Sequence, residues 1–130
     1  MRREPINPWE WSTKRGFAQA VEVSGFHRLL VCSGQTAVDD NGAPPSSGDM
    51  ATQVRAAFEN LRTVLTEDGM AMEDVIKLTY FTTDVDALRA VLGPIREEFL
   101  DEEQPASTLV GVTRLAAPEL KVEIEALAAR

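Results

Sequence analysis

The residues in this 130-residue chain that could transfer protons begin with an acidic pair near its end. Glu123 and Glu125 alternate with apolar residues, so both carboxylates lie on one face of a predicted strand. A partly buried carboxylate can accept or donate a proton near neutral pH, which suits general acid or base chemistry. The alternation alone is more typical of solvated or ion-paired strand residues.

Thiol and metal chemistry have few candidate residues. Cys32 and His27 are the single cysteine and the single histidine, so neither a Cys/His zinc site nor a catalytic Cys/His pair has the residues that it needs. Cys32 lies in an apolar run, which favours an inert buried thiol, and His27 lies at a turn and is assigned no role. The sequence therefore predicts no metal site.

Acidic residues outnumber basic ones by 21 to 13, which gives a net charge of -8. This charge repels phosphate backbones, so we expect no nucleic-acid binding and give ribonuclease activity little weight. Arg96 and Arg114 are the basic residues that could hold an anionic substrate, with Lys14 and Arg15 as a third possibility. Surface ion pairs are the simpler interpretation of Arg96 and Arg114 in so acidic a chain.

Length and composition predict a single domain over residues 1–130, with an irregular N-terminal arm over 1–15. Apolar residues make up 44% of the chain, which is enough to bury a core. No apolar run approaches the roughly 20 residues that span a bilayer, and no secretory signal pattern opens the chain. We therefore expect no membrane association and a cytoplasmic location.

Hydrophobic periodicity predicts the element order β-β-α-β-α-β-β. Turn formers mark the loop over 39–48, and we expect Ser47 or Asp49 to cap the first helix and Gly69 to end it. The proline of Gly93-Pro94 must kink or restart the second helix. The predicted segments are a hairpin of strands 17–23 and 28–33, a helix over 50–65, a central strand over 75–82, a helix over 88–99, and strands over 107–115 and 120–127.

The two similar halves predict a single sheet with both helices on one face. The other face would then be apolar and bare. A sheet with such a face usually finds a partner, so we expect self-association.

Several motifs, taken together, resemble the RidA/YjgF family of reactive-intermediate deaminases from about Gly16 to Arg130. The resemblance implies an α+β, chorismate-mutase-like fold, a homotrimer, and a small-molecule ligand cleft at each subunit interface. Family deaminases hydrolyse 2-imino or enamine acids to 2-keto acids and ammonia without a metal or cofactor. The motifs are Ser33-Gly34-Gln35, Gln53 with Asn60-Leu61, the strand over 74–81, Pro105-Ala106, and the strand over 122–126.

The resemblance also implies candidate site residues. Glu123 matches the acidic residue that positions or activates the attacking water, which makes it the catalytic candidate. The family's carboxylate-binding arginine directly follows Pro-Ala, where this chain has Ser107. A neutral hydroxyl cannot make a charge-assisted bidentate contact, so we expect 2-iminobutanoate to be a poor substrate. The substrate-binding candidates are Phe17, Ser33, Gly34, Gly93, Arg96, Ser107 and Thr108.

Two further departures from the family pattern make the pocket less polar. Gly93 stands where the deaminases usually carry Asn, and Phe17 stands where many carry Tyr. Some relatives also have a cysteine near the cleft at the position of Leu109. Two hypotheses follow. One is a hydrolase or deaminase acting on an imine, enamine or related metabolite; the other is a binding or regulatory trimer that keeps the cleft without catalysis.

Overall fold

The computed structural model describes residues 1–46, 48–100, 102 and 104–130 and has an α+β fold, as the sequence predicts. A short 3-10 turn over Met72–Asp74 precedes the fourth strand. The helices and strands are β1 (Arg2–Ile6), α1 (Glu10–Lys14), β2 (Ala20–Ser24), β3 (Leu29–Gln35), α2 (Met50–Glu67), β4 (Val75–Thr82), α3 (Val85–Phe99), β5 (Ala106–Gly111) and β6 (Val122–Ala129).

Two predictions for the N-terminal part of the chain, the irregular arm and the hairpin, are wrong. Residues 1–15 are not an irregular arm, because they contain β1 and α1. β1 pairs antiparallel with β2, with Ile6 opposite Ala20. The predicted hairpin around Ser24-Gly25 is also wrong, since β3 pairs with β6 instead of β2. Strand propensity records how a segment fits a sheet, but it does not identify the partner strand.

Within the described residues, four strands form a mixed sheet in the order β3-β6-β4-β5. β6 pairs antiparallel with both β3 and β4, while β4 and β5 are parallel. A parallel pair needs a long crossover connection, and α3 provides it between β4 and β5. The predicted central strand is thus an internal strand of the sheet.

Both long helices pack on one face of this sheet, as predicted. Alternate residues of β6 point toward the helices and are fully or almost fully buried. They join a single hydrophobic cluster with the apolar stripes of α2 and α3. The members from β6 and the two helices include Val122, Ile124, Ala126, Ala128, Val54, Phe58, Leu61, Leu65, Leu88, Leu92 and Ile95.

The opposite face of the sheet is open, and we call it the open sheet face. Two of its apolar side chains on β3 are strongly exposed, Leu29 at 51% and Val31 at 71%. The register places Leu29 opposite Ala129 and Val31 opposite Leu127 on β6, and polar and charged side chains of β6 and β4 lie on the same face. The face consists of Leu29, Val31, Lys77, Thr79, Phe81, Glu123, Glu125 and Leu127.

Side-chain caps fix where both long helices begin. Asp49 accepts a hydrogen bond from the Thr52 backbone N–H at 2.8 Å, and Asp84 accepts one from Ala87 at 3.0 Å. The alternative cap, Ser47, lies outside the described residues. Pro94 lies inside α3, which continues to Phe99 without a restart.

Candidate active site

A cleft of about 630 Å³ lies where the N-terminal segment, α3 and the edge strand β5 meet. We call it the α3 cleft. Its size is within the range of small-molecule sites. Its lining combines apolar and basic side chains: Lys14, Arg15, Phe17, Tyr80, Arg89, Leu92, Gly93, Pro94, Arg96, Glu97, Ser107 and Leu109.

The strand register explains why Ser107 faces this cleft. Ser107 is opposite Leu78, and Leu109 is opposite Tyr80. Leu78 and Tyr80 are buried on the helix side of β4, so their partners on β5 point to that side as well. Because β5 is the edge of the sheet, its helix-side residues border the α3 cleft.

Four of the candidate ligand contacts predicted from the sequence line the α3 cleft together. They come from three parts of the chain: Phe17 follows α1, Gly93 and Arg96 lie on α3, and Ser107 lies on β5. Arg114 is exposed and does not line this cleft.

The other candidates lie elsewhere in the subunit. Ser33, Gly34 and Glu123 are grouped around the β3–β6 pair. Thr108 lies on the opposite side of β5 from Ser107, because neighbouring strand residues alternate. Its hydroxyl accepts a hydrogen bond from Lys77 Nζ at 2.7 Å. Within one subunit, therefore, the catalytic candidate Glu123 and the α3 cleft lie apart.

The carboxylate of Glu123 lies directly over the Cα of Gly34. A Cβ built on Gly34 would be 2.0 Å from Glu123 Oε1, so only glycine leaves room for the carboxylate in this position. The β3–β6 register is irregular between Cys32 and Gln35, which places the backbone of Gly34 beside β6. Among the described residues, none donates a hydrogen bond to this carboxylate.

Arg96 packs against the backbone of Gly16 at the cleft. A Cβ on Gly16 would lie 1.8 Å from Arg96 Nη2, and Gly16 has a φ of +85°, a conformation that suits glycine. Arg96 is partly buried. The described residues provide no hydrogen bond or salt bridge to its guanidinium.

Tyr80 is a cleft residue that the sequence-based site prediction misses. It is 2% exposed, and its ring packs edge-on against Phe58 with centroids 6.3 Å apart. Its hydroxyl is buried and has no hydrogen-bond partner among the described residues. Burial raises the pKa of this phenol, and the positive charge of Arg96 acts in the opposite direction. Tyr80 is the chain's single tyrosine. Its position in an otherwise apolar strand is the sequence feature that could have indicated a role for its hydroxyl.

The α3 cleft is locally basic although the chain is acidic. Its lining includes four basic residues and one acidic residue, Glu97. Arg89 was also missed by the sequence analysis. The signal was its spacing, because Arg89 and Arg96 are seven residues apart and a helix returns to the same side after two turns.

The structure also bears on metal binding and membrane insertion. Within the described residues, no group of three or more His, Cys, Asp or Glu side chains is arranged to hold a metal ion. None of the helices over these residues has the length and apolar character to cross a bilayer.

The fold and the cleft together define a class: an α+β protein with a mixed sheet, two long helices on one face, and a basic cleft at the sheet edge. A family model described as endoribonuclease L-PSP matches residues 10–130. The solved Yersinia pestis protein YyfB, a Rid family member of unknown function, is 33% identical over the whole of both chains with a TM-score of 0.88. The chain belongs to the RidA/YjgF family.

Two named relatives are similar to the chain over most of its length. Protein mmf2 of Schizosaccharomyces pombe, which is named mitochondrial, is 37% identical over 131 residues and covers 99% of both chains. TdcF of Escherichia coli, whose name assigns it to the reactive intermediate deaminases, is 32% identical over 88% of this chain and 86% of its own. A solved structure of TdcF with bound serine has a TM-score of 0.70 and covers 88% of this chain and 87% of that one.

Proposed function

We propose that this chain is a RidA-like hydrolase that deaminates an imine, enamine or related small metabolite. The observation that carries the proposal is the Glu123 carboxylate held over Gly34, at the family's acidic position. The name of TdcF and the serine bound in its solved structure support a site for small amino-acid-derived molecules. The proposed chemistry uses no metal or cofactor.

The proposed active form is a homotrimer with a ligand site at each subunit interface. The exposed apolar residues of the open sheet face favour its burial against another copy. Glu123 lies on this face, while the α3 cleft lies at the other side of the sheet edge. Packing one subunit's open sheet face beside a neighbour's α3 cleft would unite the two groups of candidate residues.

The reaction needs one water molecule for each imine. In the proposed mechanism the α3 cleft binds the substrate. Glu123 accepts a proton from a water molecule while the oxygen of that water bonds to the imine carbon. Protonated Glu123 returns this proton to the imine nitrogen, which gives the carbinolamine. Glu123 then accepts the carbinolamine hydroxyl proton and donates it to the nitrogen, so that the C–N bond breaks and ammonia leaves as the C=O bond forms. The imine carbon is already electrophilic, so orientation and proton transfer suffice.

A second candidate function is a trimer that binds a metabolite without converting it. The observation that favours it is Ser107, which lines the α3 cleft where the family deaminases have a charged anchor. Gly93 also removes a polar side chain from the same lining. In this case the ligand would act as a signal or be buffered rather than consumed.

The deciding experiment measures ammonia and keto-acid release from 2-iminobutanoate, which a threonine dehydratase generates in the assay. We expect the wild type to increase the rate of hydrolysis only modestly and Glu123→Gln to abolish this increase. Glu125→Gln is the matched control, since it removes the same charge two residues further along β6, and it should retain activity. Activity in Ser107→Arg alone, or in no variant, would favour the binding protein.

We propose that the protein is located in the cytoplasm. One relative is named mitochondrial, so family membership does not decide the compartment. A fluorescent protein fused to the C-terminus leaves the N-terminus free and reports the compartment directly. Signal confined to an organelle would contradict the proposal.

A further inference from the structure

We propose that Arg96 and Tyr80 form a carboxylate-binding subsite in the α3 cleft and that the ligand is a small organic acid with an apolar tail. This inference rests on the proposed function only in taking the α3 cleft as the ligand site. Arg96 would supply the charge that is lost at Ser107, from α3 rather than from β5. Tyr80 would donate a hydrogen bond to a ligand oxygen.

Arg96 differs from the other basic residues of the cleft in burial. Lys14, Arg15 and Arg89 are exposed, so water screens their charges, whereas Arg96 is partly buried. Arg15 lies over the Trp11 ring, 5.5 Å from its centroid, and Lys14 approaches Glu10 at 4.0 Å. Arg96 has neither kind of contact among the described residues, and its planar guanidinium matches the two oxygens of a carboxylate.

The buried hydroxyl of Tyr80 is a second, independent observation. Buried polar groups in folded proteins almost always have a hydrogen-bond partner, so a hydroxyl without one needs an explanation. Tyr80 lines the α3 cleft, and a ligand oxygen in the cleft would be the missing acceptor. A phenol is protonated at physiological pH and burial raises its pKa further, so the hydroxyl can donate.

The apolar part of the cleft lining indicates the chemical character of the ligand beyond its carboxylate. Phe17, Leu92 and Leu109 present apolar surface, which suits a hydrocarbon tail rather than a second charged group. One partly buried guanidinium and one neutral donor fit a monoanion better than a phosphate, which needs more donors for its oxygens. The short Ser107 side chain leaves space that the family arginine would fill.

The test is calorimetric titration with three probes: 2-oxobutanoate, its neutral amide 2-oxobutanamide, and inorganic phosphate. Wild type should bind 2-oxobutanoate at least about tenfold more tightly than the amide, the factor expected of one charge-assisted contact. Arg96→Gln should lower the affinity for the acid by about tenfold or more and remove the discrimination. Tyr80→Phe, which keeps the ring, should weaken both probes by about threefold to tenfold and keep the discrimination.

Arg62→Gln is the matched control, because Arg62 lies on α2, pairs with Glu59 and does not line the cleft. It should bind the acid as wild type does. Arg96→Lys should have an intermediate affinity for the acid, since it keeps the positive charge but loses the planar guanidinium that can contact both carboxylate oxygens. Urea unfolding of every variant confirms that it is folded. Wild-type affinity in Arg96→Gln, tighter binding of phosphate than of the acid, or no binding of the acid by wild type would each overturn the proposal.

The hydrolysis assay separates this inference from the proposed function. If wild type binds the acid through Arg96 but hydrolyses no imine, the subsite stands and the deaminase proposal fails. If wild type and Arg96→Gln hydrolyse 2-iminobutanoate equally well, the deaminase stands and the subsite fails.

Discussion

Two glycines hold the two candidate side chains of this protein in place. Gly34 leaves room for the carboxylate of Glu123, and Gly16 leaves room for the guanidinium of Arg96. In both cases an added Cβ would overlap the charged end of the neighbouring side chain. Gly34 is also a substrate-binding candidate, but both glycines have a positioning role that a single added methyl group can test.

Gly34→Ala should abolish imine hydrolysis while the protein stays folded. Gly34 does not have a positive φ, so alanine is compatible with its backbone, but the new Cβ must displace the carboxylate of Glu123. We expect a loss of activity similar to that of Glu123→Gln, with a change in unfolding free energy of at most about 1 kcal/mol. Ammonia release and urea unfolding measure the two effects.

A double variant shows whether Gly34 acts through Glu123. Because each single variant is expected to be inactive, the double variant is compared by binding: if Gly34 acts through Glu123, Gly34→Ala combined with Glu123→Gln should bind 2-oxobutanoate as tightly as Glu123→Gln alone. Weaker binding by the double variant would mean that Gly34 has a separate role, such as a direct contact of its backbone with the ligand.

Gly16→Ala should weaken binding of 2-oxobutanoate because it displaces the guanidinium of Arg96. Alanine at a positive φ also costs about 1–2 kcal/mol of stability. Gly25→Ala is the control, since Gly25 has a φ of +67° and open space around its Cα, so it brings the same strain without moving a side chain. Titration should show the loss of affinity in Gly16→Ala only; equal losses in both variants would count against a positioning role.

The candidate residues could be found only in part from the sequence. Family positions or charge identify Phe17, Gly93, Arg96 and Ser107 as candidates, and the structure brings all four to one cleft. Tyr80 was missed because its strand pattern assigns it to the core. The assignment is right, yet Tyr80 also lines the cleft, and hydrophobic periodicity cannot distinguish a core residue from one with both roles.

At the scale of elements, α2 holds the segment that leads into β6. The buried Gln53 side chain donates to the Glu119 backbone carbonyl at 2.9 Å and accepts from the Lys121 backbone N–H at 2.8 Å. These two hydrogen bonds fix the chain immediately before Val122, where β6 begins. The position of Glu123 therefore depends on a residue of α2.

Gln53→Leu should destabilise the protein by about 1–3 kcal/mol, because it leaves two backbone groups without partners. Urea unfolding measures the loss. Thr63→Ala is the control on the same helix, since Thr63 is exposed and its hydroxyl bonds, among the described residues, only to the Glu59 carbonyl one turn earlier; it should cost at most about 0.5 kcal/mol. An equal effect of the two substitutions would show that the Gln53 bonds contribute little.

Elements were easier to predict than their pairing. The stripe and cap of α2 and the alternation of β6 are local features, and both elements were predicted close to their observed ranges. The partners of β2 and β3 were predicted wrongly because sequence neighbours were assumed to pair. β2 pairs with β1, which lies in a segment rich in proline and charge that carries no strand pattern.

For the whole molecule, the open sheet face should determine assembly. If the proposed trimer buries this face, Val31→Lys, which adds a charge on the edge strand β3, should reduce the mass measured by light scattering from three chains to one, because burying an unpaired charge is costly. Thr66→Lys adds the same charge at an exposed position of α2 and should leave the proposed trimer intact. A trimeric Val31→Lys would place the subunit interface elsewhere.

The floor of the α3 cleft is continuous with the hydrophobic core. Tyr80 packs on Phe58, and Phe58 stacks on Phe99 with ring centroids 5.0 Å apart. A ligand that needs this arrangement binds only the native state, so it raises stability by about 2.7 kcal/mol at a concentration one hundred times its Kd. Such an increase moves the thermal midpoint by several degrees. Heating the protein with individual metabolites can therefore identify its natural ligand before any reaction is known, with Tyr80→Phe as the comparison that shows where the ligand binds.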